Sequence, residues 1–551
     1  MISPRSEKLV LSAILLALLA ALVWQAWSLG VTVDEPAHII AARLYWEGKA
    51  RAFPGDLPPL IKIAAGWVPA LLELPIPYEE TALWEARREW FIAQRMMERI
   101  EPSHTQRIFF QARLPLLVFP LLTALLLWRW SRQLFPPAVA LIVTALFALE
   151  PTALGHGALL KNDLAATFGY LLFWYRAWRL VKSPRMANAA WLGAGLLLAL
   201  LGKLSMLFLA LVAPLIVLWA FRNSRRTLPA ALAAVTLGPY LGLLAASQFQ
   251  TRRIPARELE VHAVTGRLPA PFLLAAQVFR VLPVPTPVWN GVVSIVQSNR
   301  NGSPVYLLGD VYERGHRLYF AAALAWKIPE AIQMLLLGGL ALCLLQRDRE
   351  AFWWLVPPLL YIGLASLSSL QFGVRLVLPA LPFGLLLSGK AAAWLMKGRR
   401  IVALAALLAW MTLASVPVYP HGISYFNGWA GGPENGLPYL ADSNIDWGQD
   451  LPQLADYVRR KGIAKLHLSY FGSDIPWRFF SDEQAEQVAP PWTPKHAEGL
   501  KLKPRPGYWA ISANLLPGHF FRPEYRQYFE AFRKMKPIAR AGYSIYIYKV
   551  P

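Results

Sequence analysis

The chain has 551 residues, of which 56% are hydrophobic and only 16% are charged, and its formal net charge is +22. This composition excludes a disordered protein and indicates an integral membrane protein. The basic residues do not indicate a nucleic-acid partner, because they fall in alternate short loops between hydrophobic segments.

Hydrophobic runs of the length that crosses a bilayer predict about eleven membrane spans. In chain order they lie near 9–29, 109–128, 137–155, 159–178, 189–202, 204–221, 228–247, 324–345, 351–370, 374–391 and 401–418. The first run is too long for a signal peptide, and no small-residue cleavage site precedes Asp34, so we expect a retained helix.

The positively charged loops predict a multi-pass protein of the cell membrane with a cytoplasmic N-terminus. The same alternation places the long segments 30–108, 248–323 and 419–551 on the outer side. In the first of these, the apolar residues between Leu83 and Ile100 recur at helical spacing, and a short apolar stretch starts at Leu57. Both are predicted to form helices that lie on the membrane surface.

The other two outer segments differ in character. Segment 248–323 mixes prolines, glycines and polar residues without a sustained period, which predicts a loop laid over the membrane part. Residues 419–551 carry a helical pattern at 451–460 and strand patterns at 465–471, 508–512 and 543–550. The expected fold is therefore an all-α membrane bundle, residues 1–418, followed by a small extracytoplasmic α/β domain, residues 419–551.

Two acidic turns are predicted on the same side of the membrane. Asp34 and Glu35 follow the first span, and Asp163 lies between the third and fourth spans with His156 and Lys161. Carboxylates so close to hydrocarbon are functional-site candidates. The alternatives are that the first pair marks the end of a span, that Asp163 caps a helix and that His156 is an ordinary loop residue.

Two cations interrupt the hydrophobic pattern on that side. Lys203 lies in the tight turn between the fifth and sixth spans, and Arg375 begins the tenth. Fixed cations at a membrane surface can bind a lipid phosphate, although ordinary interfacial anchoring explains any one of them equally well.

Several short motifs together resemble the polytopic GT-C glycosyltransferases, and most closely the protein mannosyltransferase and aminoarabinose transferase branch, family 39. They are Asp34-Glu35, the stretch from Asp56 to Lys62, the His156 to Asp163 turn, Lys203, the Lys327-Ile-Pro329 triplet and the Arg375 to Pro379 stretch. The resemblance implies transfer of a sugar from a polyprenyl phosphate to an acceptor hydroxyl on the outer face, usually with inversion. The acceptor would be a glycan, a lipid or a protein.

The resemblance also implies roles for the acidic residues. Asp34 would take the acceptor proton, with Glu35 as a positioning or secondary carboxylate, and Asp163 would orient a substrate or hold a metal ion. No cofactor is certain, and a divalent metal ion is left open. Relatives often carry arginine where this chain has Ala158. Phosphate binding would therefore fall to other cations, namely Lys161, Lys203 and Arg375.

A polar segment near residue 445 resembles one found in bacterial members of the same superfamily. Trp447 could stack on a sugar ring, while Asp442, Asn444, Asp446 and Gln449, together with His156, could contact sugar or acceptor. Such residues also make good turns and caps.

A transporter or flippase of lipid-linked glycans is the main alternative, and a noncatalytic receptor is the third. The charged residues cluster near span ends, and no internal repeat is evident, which favours an enzyme over a carrier. The decisive geometric expectation is that Asp34 and Asp163 meet at one cavity.

Overall fold

The computed structural model describes residues 3–49, 59–86, 89–224, 226–266, 268–492 and 499–551. Within those ranges, five helices are long and apolar enough to cross a membrane: Pro4–Ser28, Pro102–Leu134, Leu228–Ala246, Val374–Leu395 and Gly398–Val418. Two bent pairs raise the number to seven, and Met186–Gly202 and Leu204–Ala220 are shorter apolar helices. Asp163–Lys182 and Phe352–Ser366 occupy two further predicted spans. The count of about eleven spans stays a prediction.

Two of the predicted spans, near 137–155 and 324–345, are bent pairs of helices. Pro137–Leu149 and Pro151–Gly157 meet at 59°, and Tyr319–Lys327 and Glu330–Leu345 meet at 115°. Pro151 begins the second helix of the first pair, and Pro329 directly precedes the second helix of the second pair. A proline disfavours helical backbone in the residue before it. Glu150 then caps the second helix of the first pair by accepting a hydrogen bond from the backbone N–H of Ala153.

The helix Asp163–Lys182 runs through the interior of the bundle, and most of its residues are buried. Its neighbour Met186–Gly202 approaches closely because glycines lie at the contact. A Cβ atom at Gly169 would lie 2.6 Å from the Ala199 nitrogen, and one at Gly195 would lie 2.9 Å from the Phe173 Cα. Small residues of this kind allow membrane helices to pack backbone to backbone. The packing places Asp163 at the end of the bundle, under the cavity described below.

Segment 30–108 contains helices, as predicted, within the described residues. Its helices are Glu35–Trp46, Pro59–Ala65, Trp67–Leu71, Thr81–Glu85 and Glu89–Arg99. Residues 56–58 of the predicted proline-rich motif lie outside the described residues. The motif's described end, from Pro59, begins a helix.

The prediction of a plain loop for 248–323 is wrong. The segment contains the helices Ala256–Val264, Ala270–Ala276 and Thr286–Asn301, and two short strand pairs, Thr251–Arg252 with Val284–Pro285 and Val305–Leu307 with Asp310–Tyr312. The prolines of this segment do not break helices, because several stand at or just before a first helical turn, where a missing N–H costs nothing.

The C-terminal part is an α/β unit, and its predicted helix and three strands are confirmed. The helix is Leu451–Lys461. A five-stranded mixed sheet has the order Ala485–Gln487, Leu466–Ser469, Gly507–Ser512, Ile545–Val550 and Ala539–Ala541. The central strands Leu466–Ser469 and Gly507–Ser512 are parallel, so the loops that follow them leave the sheet at the same edge.

Candidate active site

A cavity of about 600 Å³ lies between the end of the helix bundle and the C-terminal unit. Its polar lining comes from widely separated parts of the chain and consists of Asp34, His38, Glu89, Lys161, Asn162, Lys203, Ser205, Ser368, Arg375 and Asp442. Its apolar lining comes largely from helices of the bundle and includes Phe208, Phe320, Tyr361, Leu364, Ala365 and Leu376. The cavity can therefore contact the charged part and the apolar part of a single ligand.

Asp34 faces the cavity at the turn between Pro4–Ser28 and Glu35–Trp46. The Lys161 ammonium donates a hydrogen bond to its carboxylate and lies 3.2 Å from Nε2 of His38. Burial raises the pKa of Asp34, but the positive charges of Lys161 and Arg375 outweigh burial, so the net pKa lies below its usual value. Burial and Lys161 lower the pKa of His38 to about 3, so its neutral imidazole can accept from the lysine.

Glu35 points away from the cavity and is fully buried. Its two oxygens accept from Nε and Nη2 of Arg113 at 2.7 and 2.6 Å, and from the backbone N–H groups of Thr32 and Leu160 at 2.9 and 2.8 Å. Arg113 also donates to the carbonyls of Ala26, Leu29 and Gly30. Glu35 therefore joins the two acidic turns and does not line the cavity, which fits the predicted positioning role better than that of a secondary carboxylate at the reacting centre.

Asp163 lies beneath the cavity wall with its side chain buried. One of its oxygens is 3.3 Å from Nζ of Lys203, and the other is 3.7 Å from Nη1 of Arg375. Both cations line the cavity, whereas the carboxylate behind them does not. One negative charge thus holds two cations in place and leaves an excess of positive charge for an anionic ligand.

Arg375 is further fixed by the C-terminal segment. Its Nε donates to Oγ of Ser443 at 3.0 Å, and its guanidinium lies 4.0 Å from the ring centroid of Trp447. The Lys161 ammonium lies 4.7 Å from the same indole. Trp447 therefore contacts both cations, and it also lines the cavity.

Asp442 lines the cavity from the C-terminal side. It has a left-handed backbone with φ of 60°, and its N–H donates to Oδ1 of Asn514 at 2.6 Å. One carboxylate oxygen accepts from the Ser443 N–H, and among the described residues no Lys, Arg or His lies within ion-pair distance of the carboxylate. Burial raises the pKa of Asp442 to about 6, against the lowering effect of Arg375.

Three of the residues predicted to contact sugar hydroxyls make their hydrogen bonds to other groups of the chain and do not line the cavity, which corrects that prediction. Asn444 bonds to Val374, Tyr319 and Ala441. Asp446 accepts from the N–H groups of Gly448 and Asn514, and Gln449 bonds to Trp447, Ser424 and Ile445. Their predicted alternative, turn formation, describes them better.

Two other residues singled out in the sequence lie behind the cavity wall. His156 is buried, lies edge-on to Trp447 with ring centroids 5.8 Å apart, and has no hydrogen-bond partner among the described residues for either nitrogen. Lys327 is fully buried and donates to the carbonyls of Ile423 and Asn444. It joins the bent helix pair to the C-terminal segment and does not line the cavity.

Two important residues were missed in the sequence analysis. His38 follows Asp34 by four positions on a helical stretch, the spacing at which side chains meet. Arg113 is a lone arginine inside the predicted span 109–128, and a charge at such a position is a functional-site signal by itself. Both signals were visible in the sequence.

Within the described residues, no group of three or more His, Cys, Asp or Glu side chains is placed to hold a metal ion.

No protein-family model and no curated protein sequence matches the chain. Among solved structures, ArnT from Cupriavidus metallidurans bound to undecaprenyl phosphate is similar, with 14% identity, coverage of 99% of this chain and 98% of that chain, and a TM-score of 0.44. The apo oligosaccharyltransferase of Archaeoglobus fulgidus has 13% identity and a TM-score of 0.43 over 91% of this chain, which spans 66% of that protein.

Gly373 gives a direct test of how Arg375 is held. Its φ is 102°, and a Cβ atom there would collide with Oγ of Ser443, the partner of Arg375. We expect Gly373→Ala to displace Arg375 and weaken phosphate binding about tenfold, measured as the affinity for a soluble prenyl phosphate. Gly363→Ala is the control, because a Cβ there meets nothing within 4 Å. Equal affinity in the two variants would show that this support is dispensable.

Proposed function

We propose that this protein is an inverting glycosyltransferase that moves a sugar from a polyprenyl-phosphate donor to an acceptor hydroxyl at the membrane surface. The observation that carries the proposal is the single cavity in which Asp34 faces the cations Lys161, Lys203 and Arg375. A carboxylate, a phosphate-binding group and an apolar wall are the three features that this reaction requires.

The apolar wall supports a lipid-linked donor. Phe208, Tyr361 and Leu364 lie on helices of the membrane bundle, and Leu364 is also exposed on the outside of the bundle, so a prenyl chain would have an apolar path out of the cavity. The phosphate would then lie against Lys203 and Arg375, which already carry more positive charge than Asp163 neutralises. Charge-assisted hydrogen bonds of this kind are the stronger class in proteins.

The proposed reaction is a single displacement. The acceptor oxygen attacks the anomeric carbon, the bond from that carbon to the phosphate oxygen breaks, and the polyprenyl phosphate leaves with the electron pair. The acceptor proton passes to the Asp34 carboxylate, as general-base catalysis requires. Lys203 and Arg375 stabilise the charge that develops on the leaving phosphate, a role that preorganised cations perform without rearranging during the step.

Lys161 is assigned to orienting the base. Its ammonium holds one Asp34 oxygen and leaves the other free to meet the acceptor, and the neutral imidazole of His38 fixes the lysine from behind. The pairing lowers the basicity of Asp34 but fixes its direction, and geometry takes precedence over pKa in choosing a base.

Purified protein in lipid vesicles would test the proposal with a panel of radiolabelled polyprenyl-phosphate sugars and a membrane extract as acceptor source. A transferase releases polyprenyl phosphate as labelled acceptor appears. A carrier moves the intact lipid between leaflets without releasing polyprenyl phosphate, and that outcome would overturn the proposal.

Lys203→Met should raise the donor KM by roughly 10- to 100-fold, because one charge-assisted contact to phosphate is lost. The matched control is Lys390→Met, which removes a lysine that is also paired with a carboxylate, Asp348, but does not line the cavity. Initial rates over a range of donor concentrations separate KM from kcat. A donor KM that is equally changed in both variants would remove Lys203 from the phosphate site.

A further inference from the structure

The C-terminal unit contributes its own wall to the cavity, through Asp442, Phe471 and Phe520. The proposed reaction uses none of the three. Phe471 and Phe520 are half-buried and stacked on each other, with ring centroids 5.2 Å apart and planes inclined by 4°. They form an aromatic surface next to the Asp442 carboxylate, which has no ion-pair partner among the described residues.

The sheet explains why these residues lie together. Phe471 follows the strand Leu466–Ser469, and Asn514 follows the parallel neighbour Gly507–Ser512. The Phe471 N–H donates to Oγ of Ser512 at 3.0 Å, while Oδ1 of Asn514 accepts from the Asp442 N–H at 2.6 Å. Phe471 and Asp442 are thus held by residues two positions apart, at the carboxyl end of adjacent parallel strands, where open α/β sheets bind ligands.

The chemistry of this wall favours an uncharged, hydroxyl-rich ligand. Aromatic faces pack against the C–H faces of sugar rings, and an ionised carboxylate accepts two hydrogen bonds from neighbouring hydroxyls. A second phosphate would be repelled by Asp442 and Asp34. A prenyl chain would remove water from the Asp442 carboxylate, which bonds to Ser443 but has no ion-pair partner among the described residues, and this desolvation is costly.

We infer that Asp442, Phe471 and Phe520 form the acceptor subsite and that the acceptor is a neutral glycan. This inference rests on the proposed function, since it names the substrate that receives the sugar. Asp442 binds hydroxyls next to the attacking one and is a positioning residue, while Asp34 meets the reacting oxygen.

The left-handed backbone of Asp442 fits this role. Non-glycine residues with positive φ are uncommon, and they cluster at ligand sites, where surrounding contacts hold them in place. Here the holding contacts are Asn514 and the N–H of Ser443. Asn514 is itself held by Asp446, because its backbone N–H donates to the Asp446 carboxylate and its side-chain amide donates to the Asp446 carbonyl. The subsite is therefore part of the C-terminal fold.

Saturation-transfer difference NMR tests the inference without donor or turnover. The full-length protein in nanodiscs is mixed with neutral di- and trisaccharides, a Ser/Thr-containing peptide or a dispersed phospholipid, each in turn. We expect a saccharide to bind, Asp442→Asn and Phe520→Ala to weaken that binding about tenfold, and Asp482→Asn, an exposed change on the same unit, to leave it unchanged.

Binding should also depend on pH in a way that a structural role would not produce. The ionised carboxylate accepts hydroxyl hydrogens best, and its pKa is raised to about 6, so saccharide affinity should fall as the pH drops through 6. Asp442→Asn should abolish this dependence, and Asp442→Glu should restore part of the affinity.

Two outcomes would overturn the inference. One is saccharide binding that Asp442→Asn and Phe520→Ala leave unchanged, in variants whose size-exclusion profile matches the wild type. The other is binding of the peptide or the phospholipid, in place of saccharides, that depends on Asp442. The inference and the proposed reaction are tested separately. Asp34→Asn should lose sugar transfer but keep saccharide binding, so a failure of the proposed reaction would not change the result of the binding experiment.

Discussion

Asp34→Asn is expected to reduce sugar transfer by about 10²- to 10⁴-fold, the range that general-base catalysis contributes. The amide has nearly the same shape as the carboxylate but cannot take the acceptor proton. Since Asp34 is the carboxylate that both lines the cavity and contacts Lys161, the loss should appear in kcat more than in donor KM. The measurement is the initial rate of transfer of radiolabelled sugar by purified protein in vesicles.

Two controls separate this effect from misfolding. Asp456→Asn removes an exposed carboxylate on the helix Leu451–Lys461, far from the described cavity lining, and should retain the wild-type rate. Prenyl phosphate binding by Asp34→Asn should persist, because Lys203 and Arg375 remain in place. Wild-type turnover in the Asn variant would remove Asp34 from the mechanism.

Arg113→Met is expected to destabilise the protein by about 3–5 kcal/mol, the cost of leaving one member of a buried ion pair without its partner. The side chains of Arg113 and Glu35 are both fully buried. The methionine would leave Glu35 with only its two backbone donors and would leave three carbonyls of the first turn without the arginine. A large fall in the apparent melting temperature, measured by size-exclusion chromatography of heated samples in detergent, would show this.

Arg95→Met is the matched control, because it removes an arginine whose ion pairs with Glu98 and Glu80 are exposed. Exposed pairs contribute about 0–1 kcal/mol, so the melting temperature should hardly change. Glu35→Gln with Arg113→Met should recover part of the loss, since no unpaired charge remains. If Arg113→Met and Arg95→Met melt alike, the buried pair does not hold the two acidic turns together.

Much of the fold followed from local sequence patterns. The apolar runs marked the membrane helices, and alternation marked the strands at 465–471, 508–512 and 543–550, because burial of one face depends on a period that a short window contains. The prediction of helices failed where prolines altered the course of the backbone or stood at the start of a helix. Pro329 turned one predicted span into two helices, and prolines at first turns concealed the helices of 248–323.

The candidate site was predictable only in part. Lys161, Lys203, Arg375 and the two acidic turns were identifiable as charges in an apolar chain. The structure brings them together, but of Asp34 and Asp163, which were expected to share one cavity, only Asp34 lines it, while Asp163 contacts it through Lys203 and Arg375. The polar segment near residue 445 was identifiable too, but its pattern could not separate Asp442 and Trp447, which reach the cavity, from Asn444, Asp446 and Gln449, which do not.

The sequence by itself determined that the chain belongs in a membrane, roughly where most of its long apolar helices lie, and which charges stand out of place in hydrocarbon. Only the tertiary structure decided what each charge does. Asp34 and Glu35 are neighbours in sequence, yet one faces Lys161 at the cavity and the other is enclosed by Arg113, 78 positions away. The solvation of a carboxylate depends on the groups that fold around it, and a local pattern does not contain them.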